Sequence, residues 1–407
     1  MMIRPGLKII FFLALRGIRK HGFSSFVAVF TISMAAGLFL STWQINQETR
    51  RAFNNSANGF DAVLGARGSK LQIILNSLFH LEESPGNLPW EQYELIKNTS
   101  GVRSAFPIAV GDNYHGYRLV GTEPEMFFEH EWKPGQKFIV KSGGRIFSAL
   151  AKEALVGAFV AKKLGLNIGD KFHPYHGLDF KEENKHQDIY VVVGVLESTG
   201  TPADRVIWVP IKGIQLMEGH DKSMAQTISA VLLKLNGSAG ISLHTKYNRQ
   251  GDVATLAWPV ASVLSSFFDK FSWFQKVLEI IAAMVAIISC MIILLTLRSS
   301  MNERKREFAI LRCLGAPRKA VTAVIIWQSL ILAVAGGLAG IAMNLLINLT
   351  VFQVIRDKTG VVLEVFNPDV SVLFVIGIIL IVGLISGALP AIQAYKNELS
   401  ENLKLNS

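Results

Sequence analysis

Cysteine is almost absent from this chain. Of 407 residues only Cys290 and Cys313 carry a thiol, and neither falls between 44 and 272. The middle of the chain therefore has no disulfide framework and must be held by its own core. Charge is scarce too, at 18% of residues, where a soluble domain carries roughly 25%. HExxH, GxSxG and CxxC patterns are missing, as is any G-x-x-x-x-G-K-[ST] phosphate loop. Hydrolytic, redox and nucleotide chemistry thus have no visible seat in the sequence. The glycine-rich stretch Gly65-Ala-Arg-Gly-Ser-Lys70 lacks the phosphate-loop spacing and reads as a turn.

What the chain has instead is apolar length. Half of its residues are hydrophobic and the mean hydropathy is +0.35. The excess sits in a few long blocks around a middle of ordinary globular composition. A helix rises about 1.5 Å per residue, so crossing about 30 Å of hydrocarbon takes about 20 apolar residues. Four segments qualify: 23–43, with no charge; 277–297, with only Glu279; 321–355, long enough to tilt or project; and 370–395. The expected fold is a membrane protein with four transmembrane α-helices. A large α+β extracytoplasmic domain, 44–272, is inserted between the first and second. Residues 1–20 read as an amphipathic cytoplasmic helix lying on the membrane, with Leu7, Ile10, Phe11, Ala14, Leu15 and Ile18 at helical spacing. The run 23–43 is too long for a signal-peptide core and no small-x-small site follows it, so it reads as an uncleaved anchor.

The formal net charge of +10 is not spread evenly. Between 44 and 272 there are 24 Lys+Arg against 23 Asp+Glu, so nearly the whole surplus flanks the apolar blocks. That placement suits lipid headgroups and membrane orientation, and nucleic acid is not an expected partner. Arg4, Lys8, Arg16, Arg19 and Lys20 precede the first span. Seven Lys or Arg fill the loop 298–320, and Lys396 and Lys404 lie in the tail 396–407. The loop 356–369 has only Arg356 and Lys358, offset by acids. Both termini and the basic loop are accordingly expected to be cytoplasmic and 44–272 and 356–369 outside in a multi-pass protein, and the family resemblance described below implies that the membrane is a bacterial inner membrane. No Asp, Glu or His falls at mid-membrane depth, which argues against a proton relay or ion path. Gly336/Gly340 and Gly383/Gly387 form small-xxx-small pairs that let helices pack closely.

In the external region, 189–196 and 206–209 read as strands, and 71–81, 89–96 and 154–164 as helices. Three of the nine histidines, His173, His176 and His186, fall within 14 residues, among Asp179, Glu182 and Glu183. Imidazoles with a carboxylate suit zinc, copper or nickel. A polar hairpin loop with solvated histidines explains the same residues, and both readings stay open. His80 and His220 could join a metal site only if the fold brings them close.

The loop 298–320 contains Glu307-Phe-Ala-Ile-Leu-Arg-Cys-Leu-Gly-Ala316, an amphipathic helix closed by Gly315 with Pro317 where the next helix begins. This string resembles the E-x-A-I-L-R-x-L-G-A segment of the FtsX-like permease family, in the MacB and LolC type of ABC transporter. The resemblance extends from 277 to about 403 and reaches Leu13-Ala-Leu-Arg-Gly-Ile-Arg-Lys-His-Gly-Phe-Ser-Ser25. Residues 160–172, with Leu164-Gly-Leu-Asn-Ile-Gly-Asp170, look like the periplasmic core domain of that family. The resemblance implies a non-catalytic transporter subunit whose loop docks on a separate ATPase through Arg304, Arg306, Glu307, Arg312 and Gly315. ATP and magnesium would bind that cytoplasmic ABC ATPase dimer, and zinc is the candidate cofactor of the histidine cluster. A second permease copy or paralogue, membrane lipid, and a periplasmic substrate-binding or adaptor protein are the further partners it implies. Metal, peptide, lipoprotein or a macrolide-like compound are candidate substrates, and pure mechanotransmission is as compatible with the spans as transport. The competing reading is a membrane-anchored sensor or scaffold whose external domain binds a partner and whose loop recruits a soluble protein.

Overall fold

The fold was taken from a computed structural model, which describes residues 7–55, 57–220, 225–249, 252–313, 315–364 and 370–396. Two compact units emerge. One comprises residues up to 47, 272–351 and those from 364 onward, and the other comprises 48–271 with 352–363.

The first unit is helical. Leu7–Lys20 is followed by Gly22–Asn55, and then by Ser272–Glu303, the short Lys305–Cys313, Arg318–Thr359 and Val370–Lys396. Among the described residues, four helices are long and apolar enough to cross a membrane by length and composition. The sequence windows underestimate their length, because no glycine or proline stops a helix where its apolar run ends. Arg318–Thr359, at 42 residues, extends about 63 Å, roughly twice a hydrocarbon core. It stops at Gly360, whose φ of +77° is left-handed.

Small residues set the spacing within this unit. A Cβ added to Gly340 would lie 2.7 Å from the Ala36 Cβ and 3.2 Å from the Ser33 carbonyl oxygen, and one at Gly336 would lie 2.6 Å from the Ile32 Cβ. Gly383 sits against Ala333, and Gly387 against Ser329. The helix Gly22–Asn55 thus packs on Arg318–Thr359, and Arg318–Thr359 on Val370–Lys396, through seams that only glycine permits. One polar contact crosses the first seam. Gln44 Oε1 accepts from Asn344 Nδ2 at 3.3 Å and from Asn348 Nδ2 at 2.8 Å, and both asparagines are buried.

The second unit is an α+β domain built on a ten-stranded sheet. The strands run in the order Ala254–Ala257, Ala62–Ala66, Ala230–Leu235, Val102–Tyr114, Tyr117–Thr122, Ile207–Pro210, Glu153–Val156, Tyr190–Val195 and Lys171–Phe172, with Tyr175–His176 pairing Val102–Tyr114 from the side. Both faces are buried, and adjacent residues alternate between two cores. Leu64, Ala154, Ile207 and Val231 join one core, with the helices Trp90–Lys97, Ala158–Leu164, Ile211–Gln215 and Ala239–Tyr247. Val63, Leu155, Trp208 and Leu232 join the other, with Lys70–Ser77, Glu125–Glu129 and Val260–Lys270. Residues 154–164 are not one helix, as the sequence suggests. Ala154, Leu155 and Val156 are a strand buried on both faces, and the helix begins only after Gly157, where any side chain would strike the Asp204 backbone.

Two predictions follow from this packing. Gly340→Leu puts a branched side chain where no Cβ fits, and overpacking of this kind costs about 1–3 kcal/mol. The variant should denature at lower temperature in detergent than wild type, whereas the exposed control Leu338→Ile should not; equal midpoints for Gly340→Leu and wild type would refute the seam. The second concerns His130, buried and stacked on Phe60 with ring centroids 3.8 Å apart. Burial pushes its pKa down from 6.5 to about 4, although its hydrogen bond to the Asn58 carbonyl opposes the shift. The folded state binds the proton more weakly than the unfolded chain, so stability falls as pH drops from 6.5 toward 4. At pH 5 the loss is about 2 kcal/mol. The melting midpoint of the full-length protein should fall more steeply over that window in wild type than in His130→Gln. Parallel slopes would show that His130 is not held neutral.

Candidate functional site

The histidines of the external domain converge on one buried carboxylate. Asp112 lies near the end of Val102–Tyr114, just past a register shift between Val110 and Asp112 in its pairing with Tyr117–Thr122. Gly111 is the extra residue. Without it, Asp112 would point to the face that Val110 occupies; with it, Asp112 pairs with Leu119 on the opposite face, where the helix Ile211–Gln215 packs. The strand Tyr175–His176 pairs here, setting His176 opposite Asp112. Its loop is clamped by Asn113, whose Nδ2 donates to the carbonyls of Tyr175, Gly177 and Asp179 at 3.3, 2.9 and 3.2 Å.

His186 enters from the segment before Tyr190–Val195, and His220 from the loop after Ile211–Gln215. Asp112 Oδ1 lies 3.2 Å from His186 Nε2, 3.2 Å from His220 Nε2 and 3.4 Å from His176 Nδ1. His176 Nδ1 and His220 Nε2 are 3.2 Å apart. Asp112 is fully buried and His186 is 7% exposed, while the His176 side chain is 59% exposed. The far nitrogens of two rings are fixed by backbone. His186 Nδ1 donates to the Glu218 carbonyl and His220 Nδ1 to the Ile214 carbonyl, each at 2.8 Å. Asp188 steadies this shell by accepting from the Glu218 amide at 2.9 Å while ion-paired to Lys152. Burial pushes the Asp112 carboxyl up, but hydrogen bonds and charge from His186 and His220 outweigh it and hold the group below the usual carboxylate range. The same contacts raise both imidazoles: for His186 they overcome burial, and for His220 the Asp112 hydrogen bond is the largest cause.

The structure thus gathers His176 and His186 of the sequence triplet and leaves His173 out. The His173 Nδ1 instead donates to the His186 carbonyl at 3.1 Å, so it ties the backbone of a neighbour. His220 and Asp112 take the remaining places. His80 stays apart, buried near Trp208. Asp112 escaped the sequence reading because the strand holding it lies 64 residues before His176, and its only local signal is an acid in an otherwise buried run.

The helical unit carries the second group of residues. Arg304 is 2% exposed; its Nε donates to Glu307 Oε2 at 2.8 Å, its Nη1 to the Leu13 carbonyl at 3.3 Å, and its guanidinium lies over Phe308 at 5.0 Å. Gly17 leaves it room, since a Cβ there would lie 2.7 Å from Nη1. Lys20 approaches Glu307 at 3.7 Å. Arg304 therefore braces Lys305–Cys313 against the N-terminal helix, and the outward surface is formed by Arg306, Glu307 and the half-exposed Ile310. Gly315 has a φ of +95° and closes the helix in the left-handed region. The side chain of Arg312 lies outside the described residues.

A helical unit of bilayer-length apolar helices joined to a two-faced α+β domain defines a membrane-embedded permease architecture. Residues 24–242, more than half of the chain, match the MacB-like periplasmic core domain, and residues 279–399 match the FtsX-like permease C-terminal domain. The chain belongs to this family of MacB/LolC-type ABC transporter permeases, membrane proteins of the inner membrane with a periplasmic core domain. Among curated relatives it is 24% identical to the lipoprotein-releasing system transmembrane protein LolC of Haemophilus influenzae, over 61% of this chain and 63% of that protein. It is 23% identical to the macrolide export ATP-binding/permease protein MacB of Bdellovibrio bacteriovorus, over 64% and 41%. An uncharacterized ABC transporter permease of Methanocaldococcus jannaschii is 27% identical over 47% and 45%. The matches thus span less than two thirds of each relative. The periplasmic region of MacB from Actinobacillus actinomycetemcomitans aligns with a TM-score of 0.34 at 13% identity, covering 56% of this chain and 98% of that structure. The extracellular domain of the noncanonic ABC-type transporter YknZ from Gram-positive bacteria aligns at 0.29 and 16%, covering 48% and 97%.

Proposed function

We propose that this chain is the transmembrane subunit of an ABC transporter that couples ATP hydrolysis on a separate cytoplasmic ATPase to movement of its periplasmic domain. Four helices cross the membrane with both ends of the chain in the cytoplasm, and the α+β domain is inserted between the first and second. The single observation that carries the reading is the short helix Lys305–Cys313 between the second and third long helices. It is rooted by buried Arg304 and Ala309 and presents Arg306, Glu307 and Ile310 outward. A short helix rooted in this way can transmit a push into the bundle, where a solvated loop would absorb it. In this reading the catalytic step belongs to the partner ATPase.

A second permease copy or a paralogue completes the assembly, and a periplasmic substrate-binding or adaptor protein is the natural partner of the external domain. The uncharged interiors of the long helices favour mechanical transmission over a hydrophilic conduit. A metal, a peptide or a lipoprotein each fits a cycle in which the external domain handles the substrate. Zinc at the carboxylate–histidine cluster belongs to this reading as a ligand of that domain.

Purification of the full-length chain from its native membrane in mild detergent tests the proposal. A Walker-motif ATPase should co-purify with wild type, and Arg306→Glu combined with Ile310→Asp should lower its yield about tenfold or more, which is at least 1.4 kcal/mol. Membrane insertion should be unchanged, because both side chains face outward. If no ATPase accompanies the wild type and a soluble protein without a nucleotide site binds the loop instead, the chain is a sensor or scaffold.

A further inference from the structure

We propose that Asp112, His176, His186 and His220 form an exchangeable site for a divalent transition metal of the zinc class. The case rests on the cluster's geometry and is independent of the coupling role of the cytoplasmic loop.

Ligand spacing comes first. Zinc holds imidazole nitrogen and carboxylate oxygen at about 2.0–2.1 Å, and a tetrahedron with such bonds has edges of about 3.3–3.4 Å. The four short separations in the cluster are 3.2, 3.2, 3.4 and 3.2 Å, and all four donor atoms lie within 4.8 Å of one another. Oxygen-seeking calcium and magnesium are poorly served by three imidazoles, whereas a set of three nitrogens and one carboxylate suits zinc or cobalt.

The direction of the lone pairs is the second argument. His186 and His220 each use Nδ1–H on a backbone carbonyl, as metal-bound histidines do with their outer nitrogen. With Nδ1 so occupied, each Nε2 faces the Asp112 carboxylate either as a lone pair against an acceptor or as the second N–H of one of two adjacent charged rings. A shared positive centre removes the conflict. The second oxygen of Asp112 is buried and has no hydrogen-bond partner among the described residues. A carboxylate withdrawn from water costs several kcal/mol unless a cation compensates it.

Access is the third. His176 and His220 line a cavity of about 300 Å³, together with Gly219, Gln215, Asn87 and Ser229, and His176 is open to solvent. The remaining ligands are held by strand pairing and backbone hydrogen bonds that need no metal. The site is therefore preformed and open on one side, which suits a cation that enters and leaves over one that holds the fold together.

Cobalt titration of the full-length chain tests this, with the protein purified in detergent without a polyhistidine tag and stripped by chelator. Wild type should bind about one Co²⁺ per chain with the intense visible absorption of tetrahedral cobalt, and Zn²⁺ should bleach it. Asp112→Asn, His220→Ala and His176→Ala should each weaken binding beyond the roughly 10–100-fold that loss of an outer-shell partner costs, while His173→Ala should stay within that range. The exposed His176 keeps the test decisive even where a buried substitution disturbs folding. No saturable cobalt binding in wild type, a weak octahedral spectrum, or unchanged affinity in His176→Ala would each overturn the proposal.

Discussion

The register of a single strand governs the external domain. Val102–Tyr114 pairs with Ala230–Leu235 on one side, with Tyr117–Thr122 on the other, and with Tyr175–His176 at its end. Because both faces of the sheet are buried, a slip of one residue would exchange the contents of two cores, so the pairing tolerates no drift. Gly111 uses this rigidity. By adding one residue after the register has been fixed by Phe106 and Ile108, it turns the chain over for its last few positions and delivers Asp112 to the other side of the sheet. The carbonyl of Gly111 then accepts from the Gly177 amide at 2.9 Å, so the residue that reverses the strand also anchors the loop bearing His176. A carboxylate is thereby held in a dry position that no side-chain preference would select.

How much of this was legible in the sequence depends on the distance over which each signal acts. The long helices announce themselves, since the absence of charge over 20 or more residues has a direct physical meaning in a bilayer. The helix closed at Gly315 is equally local, as are the strands at Tyr190–Val195 and Ile207–Pro210, rich in valine and isoleucine. The sheet as a whole is not local. Its neighbours are drawn from residues 62 to 257, and with both faces buried the polar–apolar alternation that marks a half-exposed strand is erased. That is why Ala154-Leu155-Val156 passed for helix and why Val102–Tyr114 gave no signal. The histidine cluster shows the same division. His176 and His186 are near neighbours in sequence, whereas Asp112 and His220 are 108 residues apart and meet only because Ile211–Gln215 packs on the strand carrying Asp112. His173 was drawn in by sequence proximity, yet it lies three residues from His176, and on an extended segment an odd offset turns its ring toward the backbone of His186.

The helical unit solves a different problem with different means. In lipid, apolar contact alone gives helices little reason to associate, so close approach and hydrogen bonding must supply it. Gly336, Gly340, Gly383 and Gly387 bring backbones together, and Gln44, Asn344 and Asn348 add a polar tie within one of the seams. Every one of these contributions is short-ranged and directional. A bundle held in this way resists sliding of one helix along another, because the residues on either side of Gly340, Gly383 and Gly387 all carry side chains for which the contacts leave no room.

That resistance bears on mechanism. The proposed cycle, driven from the cytoplasm, would need the displaced element to keep its shape, and the brace around Arg304 has the properties such a role requires. Its guanidinium is withdrawn from water, engages a carboxylate, a mid-helix carbonyl and an aromatic face together, and lies where Gly17 leaves space only for it. Arginine suits this role better than lysine, since the planar fork makes several bonds in fixed directions at once. The short helix Lys305–Cys313 is thus tied at its start to the middle of the N-terminal helix, and in the proposed cycle a force on Arg306 or Ile310 would be carried into both. In the proposed cycle the part of this bundle would be the transmission of movement, with Glu279 the one acid or base within the four apolar runs and close to the end of its run.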